Sequence, residues 1–206
     1  MPAACSTFKS GNVKMEQIRA FIAIELPERL KTALRRLQSQ LKTGGHYPVK
    51  WVDPPSIHLT LKFLGNISSA QIDDITRTIV KSVAGISPFG LEVSGLGVFP
   101  NPRKVQVVWV ELGGELDPLR RLQQRLESNL VELGFSPEAR GFTPHLTLAR
   151  VRNHASLQER LDLGQLIAGT RFEDVVAFPV SSLTLMRSQL TPEGAIYRQI
   201  NVIKLK

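Results

Sequence analysis

The chain has 206 residues, 42% of them hydrophobic, which is enough for the core of one domain or of two small lobes. Lysine and arginine total 26 against 18 aspartate and glutamate residues, and the resulting net charge of +8 fits either a solvated basic surface or an anionic partner such as RNA or a nucleotide. No apolar run approaches the roughly 18 residues of a membrane span. The single cysteine, Cys5, excludes an intramolecular disulfide and a cysteine-based zinc site, so we expect a reducing cytoplasm as the compartment.

Residues 1–16 come before the first structured pattern and contain no apolar segment of the kind found in signal peptides. We expect them to be a disordered extension of a single bilobal domain that covers residues 17–206. A true start at Met15 and a transit peptide remain as alternatives.

The first half of the chain alternates between strand and helix patterns. Alternating apolar residues predict a strand over 19–26, and Pro27 then opens a helix that ends at Gly44. The following predicted elements are a strand over 49–52, a turn over 53–55, a strand over 57–65, a helix over 68–84 that Ser68 caps, and a strand over 89–100.

The second half repeats this order of elements. It predicts a strand over 105–112, a helix over 115–133, a loop over 137–141, a strand over 142–150, a helix near 155–168, and strands over 171–178, 180–188 and 195–203. Similar segments that begin at Arg19 and Val105 are 86 residues apart, and the pairs His58/His145 and Ser94/Ser181 are each 87 apart. Such a constant separation indicates an internal duplication, too long for a solenoid repeat. We therefore expect an α+β fold of two pseudo-symmetric lobes, each an antiparallel sheet with outer helices, facing a central groove.

The tetrapeptide His-Leu-Thr-Leu occurs once in each half, at His58 and at His145. Because strand side chains alternate between two faces, His58 shares a face with Thr60, and His145 shares one with Thr147. If a pseudo-two-fold axis relates the lobes, the two polar faces meet in the groove. By the same alternation, Lys62 is expected on the face of His58.

Two imidazoles facing one small site suit phosphoryl chemistry. With an ordinary pKa near 6.5, a neutral histidine can accept a proton from water while a protonated one donates to the leaving oxygen. Threonine hydroxyls can donate to the non-bridging phosphate oxygens, where charge accumulates. Neither motif has further carboxylate or cysteine ligands beside it, so we expect no metal and no cofactor.

The alternative interpretation is structural. A single histidine in an apolar strand is more often a hydrogen-bonded core residue, and threonine is common in strands. The repetition at matching positions favours a functional site. The other two histidines, His46 and His154, fall in predicted loops and are expected at the surface without a role.

Four segments carry a resemblance to a known family. They are RAFIAIELP (19–27), WVDPPSIHLTLKFLG (51–65), GFTPHLTLAR (141–150) and LMRSQLTPEGAIY (185–197). Together they resemble the bacterial and archaeal RNA 2′,3′-cyclic phosphodiesterases of the two-histidine phosphoesterase superfamily, formerly called the RNA 2′-5′ ligase family. The resemblance covers about residues 18–203.

The resemblance implies metal-independent hydrolysis of an RNA-terminal 2′,3′-cyclic phosphate to a 2′-phosphate. By motif position, His58 would be the proton donor to the leaving 3′ oxygen and His145 the proton acceptor from water. Thr60 and Thr147 would hold the phosphate. Arg150, which follows the second motif, would contact the phosphate, or be an exposed basic residue at a strand end.

The implied partners are RNA 3′ ends, tRNA fragments among them, or small nucleotides that carry a 2′,3′-cyclic phosphate. The resemblance favours a monomer that is not bound to a membrane. Two other functions stay open: RNA end joining through a 2′-5′ linkage as a side activity, and a non-catalytic nucleotide- or RNA-binding module. Tyr197 and Phe63 could stack on a base, with core packing as the alternative.

Overall fold

Helices and strands alternate along the chain much as the sequence pattern predicts. The computed structural model describes residues 16–172, 176–192 and 194–206. Within these ranges the helices are α1 (Glu28–Thr43), α2 (Ile72–Val83), α3 (Leu116–Val131) and α4 (Leu157–Gly169). The strands are β1 (Gln17–Glu25), β2 (Val49–Trp51), β3 (His58–Ser68), β4 (Phe89–Phe99), β5 (Val107–Gly114), β6 (His145–Val151), β7 (Ala177–Val180), β8 (Ser182–Leu190) and β9 (Ala195–Lys204). The extension predicted over residues 1–16 lies outside the described residues, apart from Glu16.

The strands form two antiparallel sheets, which confirms the predicted α+β architecture. In the described ranges the first sheet has the order β3-β1-β8-β9 and the second has the order β2-β6-β5-β4-β7. The duplication is visible in this order, because β3 and β1 in the first sheet correspond to β6 and β5 in the second. Two strands cross over: β4 of the first half pairs in the second sheet, and β8 of the second half pairs in the first. Each lobe is therefore made from both halves of the chain.

Helical spacing of leucine and isoleucine explains how the helices attach to the sheets. In α1 the inward residues Leu30 and Leu34 have no exposed surface, and in α3 the same is true of Leu119 and Leu126. These side chains join the apolar faces of both sheets in one continuous core. The opposite faces of the sheets are left to carry the polar motif residues. None of the helices in the described ranges has the length and apolar character needed to cross a membrane.

The strand predicted over 171–178 is wrong at its start. The chain leaves α4 at Gly169, residues 173–175 lie outside the described part, and β7 covers only Ala177–Val180. The limit is set by the partner strand, because β7 pairs only with the first four residues of β4, Phe89 to Glu92. Beyond Glu92, β4 continues into an irregular register against β5.

Matching β-bulges interrupt the two motif strands. In β3, Thr60 pairs with Ala23 and Lys62 pairs with Ile22, so Leu61 is the extra residue. In β6 the extra residue is Leu148, one position after the motif threonine as in β3. A bulge adds one residue to a strand and so reverses the alternation beyond it. The two side chains that follow each bulge therefore point to the face opposite to the one that simple alternation predicts, until a second irregularity at Leu64 changes the register of β3 again.

Candidate active site

The first motif histidine begins β3, one residue after a 3₁₀ turn over Pro54–Ser56. Its Nδ1 lies 2.8 Å from the backbone carbonyl oxygen of Ser56. Because a carbonyl oxygen can only accept, this hydrogen bond requires a hydrogen on Nδ1. Nε2 of His58 is then left to exchange a proton with a substrate.

The second motif histidine is held in the same way. His145 begins β6, and its Nδ1 lies 2.7 Å from the carbonyl oxygen of Thr143, again two residues earlier. The two imidazoles are therefore fixed in equivalent tautomers by equivalent backbone contacts. Both halves of the duplication deliver an Nε2 to the groove face of a sheet.

Aromatic rings fix the orientation of His58. The Phe21 ring of β1 stacks on the imidazole with ring centroids 4.7 Å apart. The Tyr197 ring of β9 meets it edge-on at 5.0 Å. The sequence alone predicts this role for neither aromatic residue, and it offers Tyr197 only as a candidate for base stacking.

A second aromatic pair surrounds His145. Phe99 of β4 lies edge-on to the imidazole at 5.1 Å, and Trp109 of β5 lies 5.9 Å away. The indole lies across Gly97, where the Cβ of any other residue would overlap its ring. This glycine is therefore required for the position of the indole beside His145.

The two motif strands approach each other across the sheets, with Cα atoms of β3 and β6 within 8 Å. Each is also held by a helix of the opposite half. Gln38 of α1 donates to the carbonyl oxygen of Leu148, the bulge residue of β6, at 3.1 Å. Glu127 of α3 accepts from Lys62, next to the bulge of β3, at 2.7 Å. These crossed contacts tie the two histidine strands into one unit.

The structure contradicts the position expected for Lys62. Only 3% of the residue is exposed, on the core side of β3, where Nζ pairs with Glu127 and donates to the carbonyl oxygen of Ser136 at 2.6 Å. The physical reason is the bulge at Leu61. Phe63 takes the groove-face position instead; it is 55% exposed, and its ring lies 6.1 Å from that of Phe21.

The equivalent bulge in β6 brings Arg150 to the groove face with His145 and Thr147. Strict alternation would have pointed Arg150 to the core, yet it is exposed, and Ala149 is buried in its place. The Arg150 charge acts on both sheets. It lowers the pKa of His145 beside it, and it opposes the effect of burial, which raises the pKa of Tyr197 on β9.

Burial lowers the pKa of both histidines from 6.5, because removal from water disfavours the charged imidazolium. The backbone carbonyl contacts oppose this in both. The charged neighbours differ: Glu25 raises the pKa of His58, whereas Arg150 lowers the pKa of His145 further. The two charged neighbours thus act in opposite directions, Glu25 in favour of a proton on His58 and Arg150 against one on His145.

Glu25 is a site residue that the sequence reasoning missed. It is the cross-strand partner of His58 in β1, and its Oε2 accepts from Thr184 at 2.9 Å and from Gln199 at 2.6 Å. A signal was present, because Glu25 and Glu111 hold the same next-to-last position in the two matching segments of the duplication, and Glu111 pairs with His145. A cavity of about 380 Å³ opens beside Glu25 and His58.

The other two histidines, His46 and His154, are exposed, as predicted. Within the described ranges, no three His, Cys, Asp or Glu side chains converge in a way that could hold a metal ion.

Comparison with protein families identifies the chain. Residues 26–192 match the model of the 2′-5′ RNA ligase superfamily. The chain belongs to this superfamily. Among the superfamily's relatives, a protein of Methanothermobacter thermautotrophicus named RNA 2′,3′-cyclic phosphodiesterase is 36% identical over 189 residues, or 92% of this chain and 100% of the relative. A protein of the same name from Aeropyrum pernix is 36% identical and covers 83% of this chain and 94% of its own length.

Solved structures of similar length share the fold. The Thermus thermophilus protein TT0787 matches 91% of this chain and 98% of its own with a TM-score of 0.73 and 27% identity. Escherichia coli LigT complexed with 3′-AMP matches 93% of this chain and 99% of its own with a TM-score of 0.71 and 22% identity. At that identity, the likeness to LigT concerns the fold alone.

Proposed function

We propose that this chain is an RNA 2′,3′-cyclic phosphodiesterase that hydrolyses the terminal cyclic phosphate to a 2′-phosphate. The observation that carries the proposal is the matched pair of Nδ1-to-carbonyl hydrogen bonds, which leave Nε2 of His58 and of His145 available for proton transfer on two adjoining strands. The names of the relatives support the same activity.

In the proposed mechanism His145 is the general base and His58 the general acid. Neutral His145 accepts a proton at Nε2 from water as the water oxygen bonds to phosphorus. Protonated His58 donates the Nε2 proton to the 3′ oxygen as its bond to phosphorus breaks. The charges of Arg150 and Glu25 support this division, since Arg150 favours a neutral His145 and Glu25 favours a protonated His58.

The phosphate would be held by Thr60, Thr147 and Arg150. Each threonine lies two residues after a motif histidine, on the same face and before the bulge. Hydroxyl donors and a guanidinium can neutralise the charge that develops on the non-bridging oxygens. Arg150 has no ion-pair partner in the described ranges, so its charge is available to an anion.

Replacing each motif histidine by asparagine tests the assignment. The asparagine amide nitrogen can take the place of Nδ1 and still donate to the backbone carbonyl, whereas nothing replaces Nε2. We expect His58→Asn and His145→Asn each to lower kcat by about 100-fold or more with a mononucleoside 2′,3′-cyclic phosphate, measured in EDTA with the product identified as the 2′-phosphate.

The exposed histidines supply the matched controls. His46→Asn and His154→Asn should keep the rate of the unaltered protein. A wild-type rate in either motif variant would overturn its assigned role. Absence of a 2′-phosphate product from the folded, unaltered protein would overturn the proposed activity.

End joining is a second candidate, favoured by the superfamily's name. The same site could serve joining if an RNA 5′ hydroxyl took the place of water: His145 would accept the hydroxyl proton as its oxygen bonds to phosphorus, and His58 would protonate the 3′ oxygen as its bond to phosphorus breaks. Incubation with RNA half-molecules distinguishes the activities, because joining gives a longer product with a 2′-5′ linkage and hydrolysis gives none. Binding of a nucleotide 2′-phosphate without any turnover of the cyclic substrate would instead indicate a binding module.

A further inference from the structure

A row of basic side chains leads away from the proposed site along the second sheet. Lys50 of β2 pairs in register with Arg150 of β6, so both side chains lie on the groove face. The neighbours of Lys50, Val49 and Trp51, pack instead against the core. Two cations therefore stand side by side at the end of β6 that is remote from His145.

The positive charge continues beyond the end of this strand. Arg152 follows β6 and is exposed, and its backbone nitrogen extends the ladder by donating to the carbonyl oxygen of Pro48. The turn between β4 and β5 lies beside it, because Val151 donates to Gln106 in the backbone. That turn presents two more exposed cations, Arg103 and Lys104. We call Lys50, Arg103, Lys104 and Arg152 the basic edge.

None of these four residues has an ion-pair partner within the ranges that the structure describes. Some other cations of the surface do have acidic partners, as Lys31 has Glu28 and Arg187 has Glu16. Unpaired like charges at neighbouring positions repel one another, so an anionic partner would lower their free energy.

The backbone beneath the basic edge is held in place by a partly buried arginine. Arg160 of α4 donates to three carbonyl oxygens: that of Val105 in the β4–β5 turn at 2.6 Å, that of Arg152 at 3.1 Å and that of Ala155 at 3.3 Å. One guanidinium thus fixes the turn and the end of β6 relative to each other. The cations they carry have a defined spacing before any partner binds.

We propose that the basic edge binds the backbone phosphates of the nucleotides that precede the terminal cyclic phosphate, which makes an RNA chain a better substrate than a mononucleotide. The inference rests on the proposed function, since it starts from a cyclic phosphate held at Arg150. A single-stranded RNA carries one negative charge per nucleotide, and cations in a row neutralise such a chain without reading its sequence.

The test compares two substrates that end in the same nucleoside 2′,3′-cyclic phosphate: the mononucleotide and a hexanucleotide. The double variant Lys50→Gln/Arg152→Gln should lower the ratio of kcat/KM for the hexanucleotide to kcat/KM for the mononucleotide by about 10-fold, because two phosphate contacts are lost. For the hexanucleotide, the slope of log kcat/KM against log salt concentration should be smaller in magnitude by about 1.4 in this variant. Each phosphate contact with a single strand contributes about 0.7 to that slope.

The matched control is Arg36→Gln/Arg121→Gln, which removes two exposed cations from α1 and α3. It should leave the ratio and the salt slope unchanged. The inference is overturned if the unaltered protein uses both substrates equally at low salt, or if the control variant lowers the ratio as much as the double variant does.

Failure of the proposed function gives a different result, namely no hydrolysis of either substrate by the folded protein. The basic edge is then tested by fluorescence anisotropy with a labelled hexanucleotide that ends in a 2′-phosphate. An affinity weakened about 10-fold by Lys50→Gln/Arg152→Gln, and not by the control, supports the edge as an RNA surface. Equal affinities overturn it.

Discussion

At the scale of single residues, two charges break the symmetry of the duplicated site. His58 and His145 have the same backbone contacts and similar aromatic neighbours, so their imidazoles alone do not define an acid and a base. Glu25 lies in the cavity beside His58, and Arg150 lies on the groove face beside His145. A carboxylate favours imidazolium and a guanidinium disfavours it, so the charged neighbour of each ring supports the role proposed for it.

This asymmetry predicts the pH profile of kcat/KM. The rate should fall below the pKa of His145, because the base must be neutral, and above the pKa of His58, because the acid must be protonated. Burial lowers the pKa of both from 6.5, so we expect the maximum below pH 6.5. Glu25→Gln should move the high-pH limb to lower pH, and Arg150→Gln should move the low-pH limb to higher pH.

The measurement is kcat/KM as a function of pH with a mononucleoside 2′,3′-cyclic phosphate, for the unaltered protein, Glu25→Gln and Arg150→Gln. Glu111→Gln is the matched control for Glu25→Gln, because Glu111 holds the equivalent position in β5 and is exposed. A shift of both limbs together in either variant would contradict the separate assignment of acid and base.

At the scale of secondary structure elements, the bulges decide which side chains reach the groove. The bulge in β3 sends Lys62 into the core, where its side chain is 2% exposed and that of Glu127 is 14% exposed. Glu127 also accepts from Gln123 at 3.1 Å and from the backbone nitrogen of Glu138 at 3.2 Å. The pair therefore anchors β3 to α3 and to the loop that leads to His145.

The buried pair predicts a marked effect on stability. Lys62→Met should lower the free energy of unfolding by about 3–5 kcal/mol, because it leaves the Glu127 carboxylate buried without its cation. The double variant Lys62→Met/Glu127→Met should lose less, since no uncompensated charge remains. Urea denaturation followed by circular dichroism measures both.

The control for Lys62 is Lys81→Met, which removes a cation from an exposed pair with Glu132. We expect a change below about 1 kcal/mol there. A Lys62→Met variant as stable as Lys81→Met would contradict the expected cost of leaving the Glu127 carboxylate without its cation.

At the scale of the whole molecule, the exchange of β4 and β8 makes each lobe depend on both halves of the chain. Without β8 and β9, the first sheet would keep only β3 and β1. Without β4, the second sheet would lose the strand that links β5 to β7. A two-stranded sheet is marginally stable in water, so neither half has a complete lobe of its own.

Cutting the chain in the exposed β4–β5 turn tests this dependence. Fragments 1–102 and 103–206 should each lack a cooperative thermal transition when alone, and an equimolar mixture should regain one, as followed by circular dichroism. A sigmoidal transition in either isolated fragment would mean that a half can fold without strand exchange.

The sequence by itself determined the duplication, the order of the elements and the two histidine motifs. These follow from local patterns: helical spacing of leucines, alternation in strands, and a repeated tetrapeptide with a constant separation. The same information predicted the faces of His58, Thr60, His145 and Thr147, because no bulge comes between the members of each pair.

Only the tertiary structure decided which sheet receives β4 and β8, where Lys62 and Arg150 point, and which charges lie beside each imidazole. A bulge depends on the register with a neighbouring strand, and Leu61 and Leu148 look like any other leucine in a strand pattern. Glu25 and the aromatic rings reach the histidines from other strands, so their contacts depend on how the strands pair. Sequence spacing specifies contacts along one element, whereas contacts between elements depend on the packing of the whole chain.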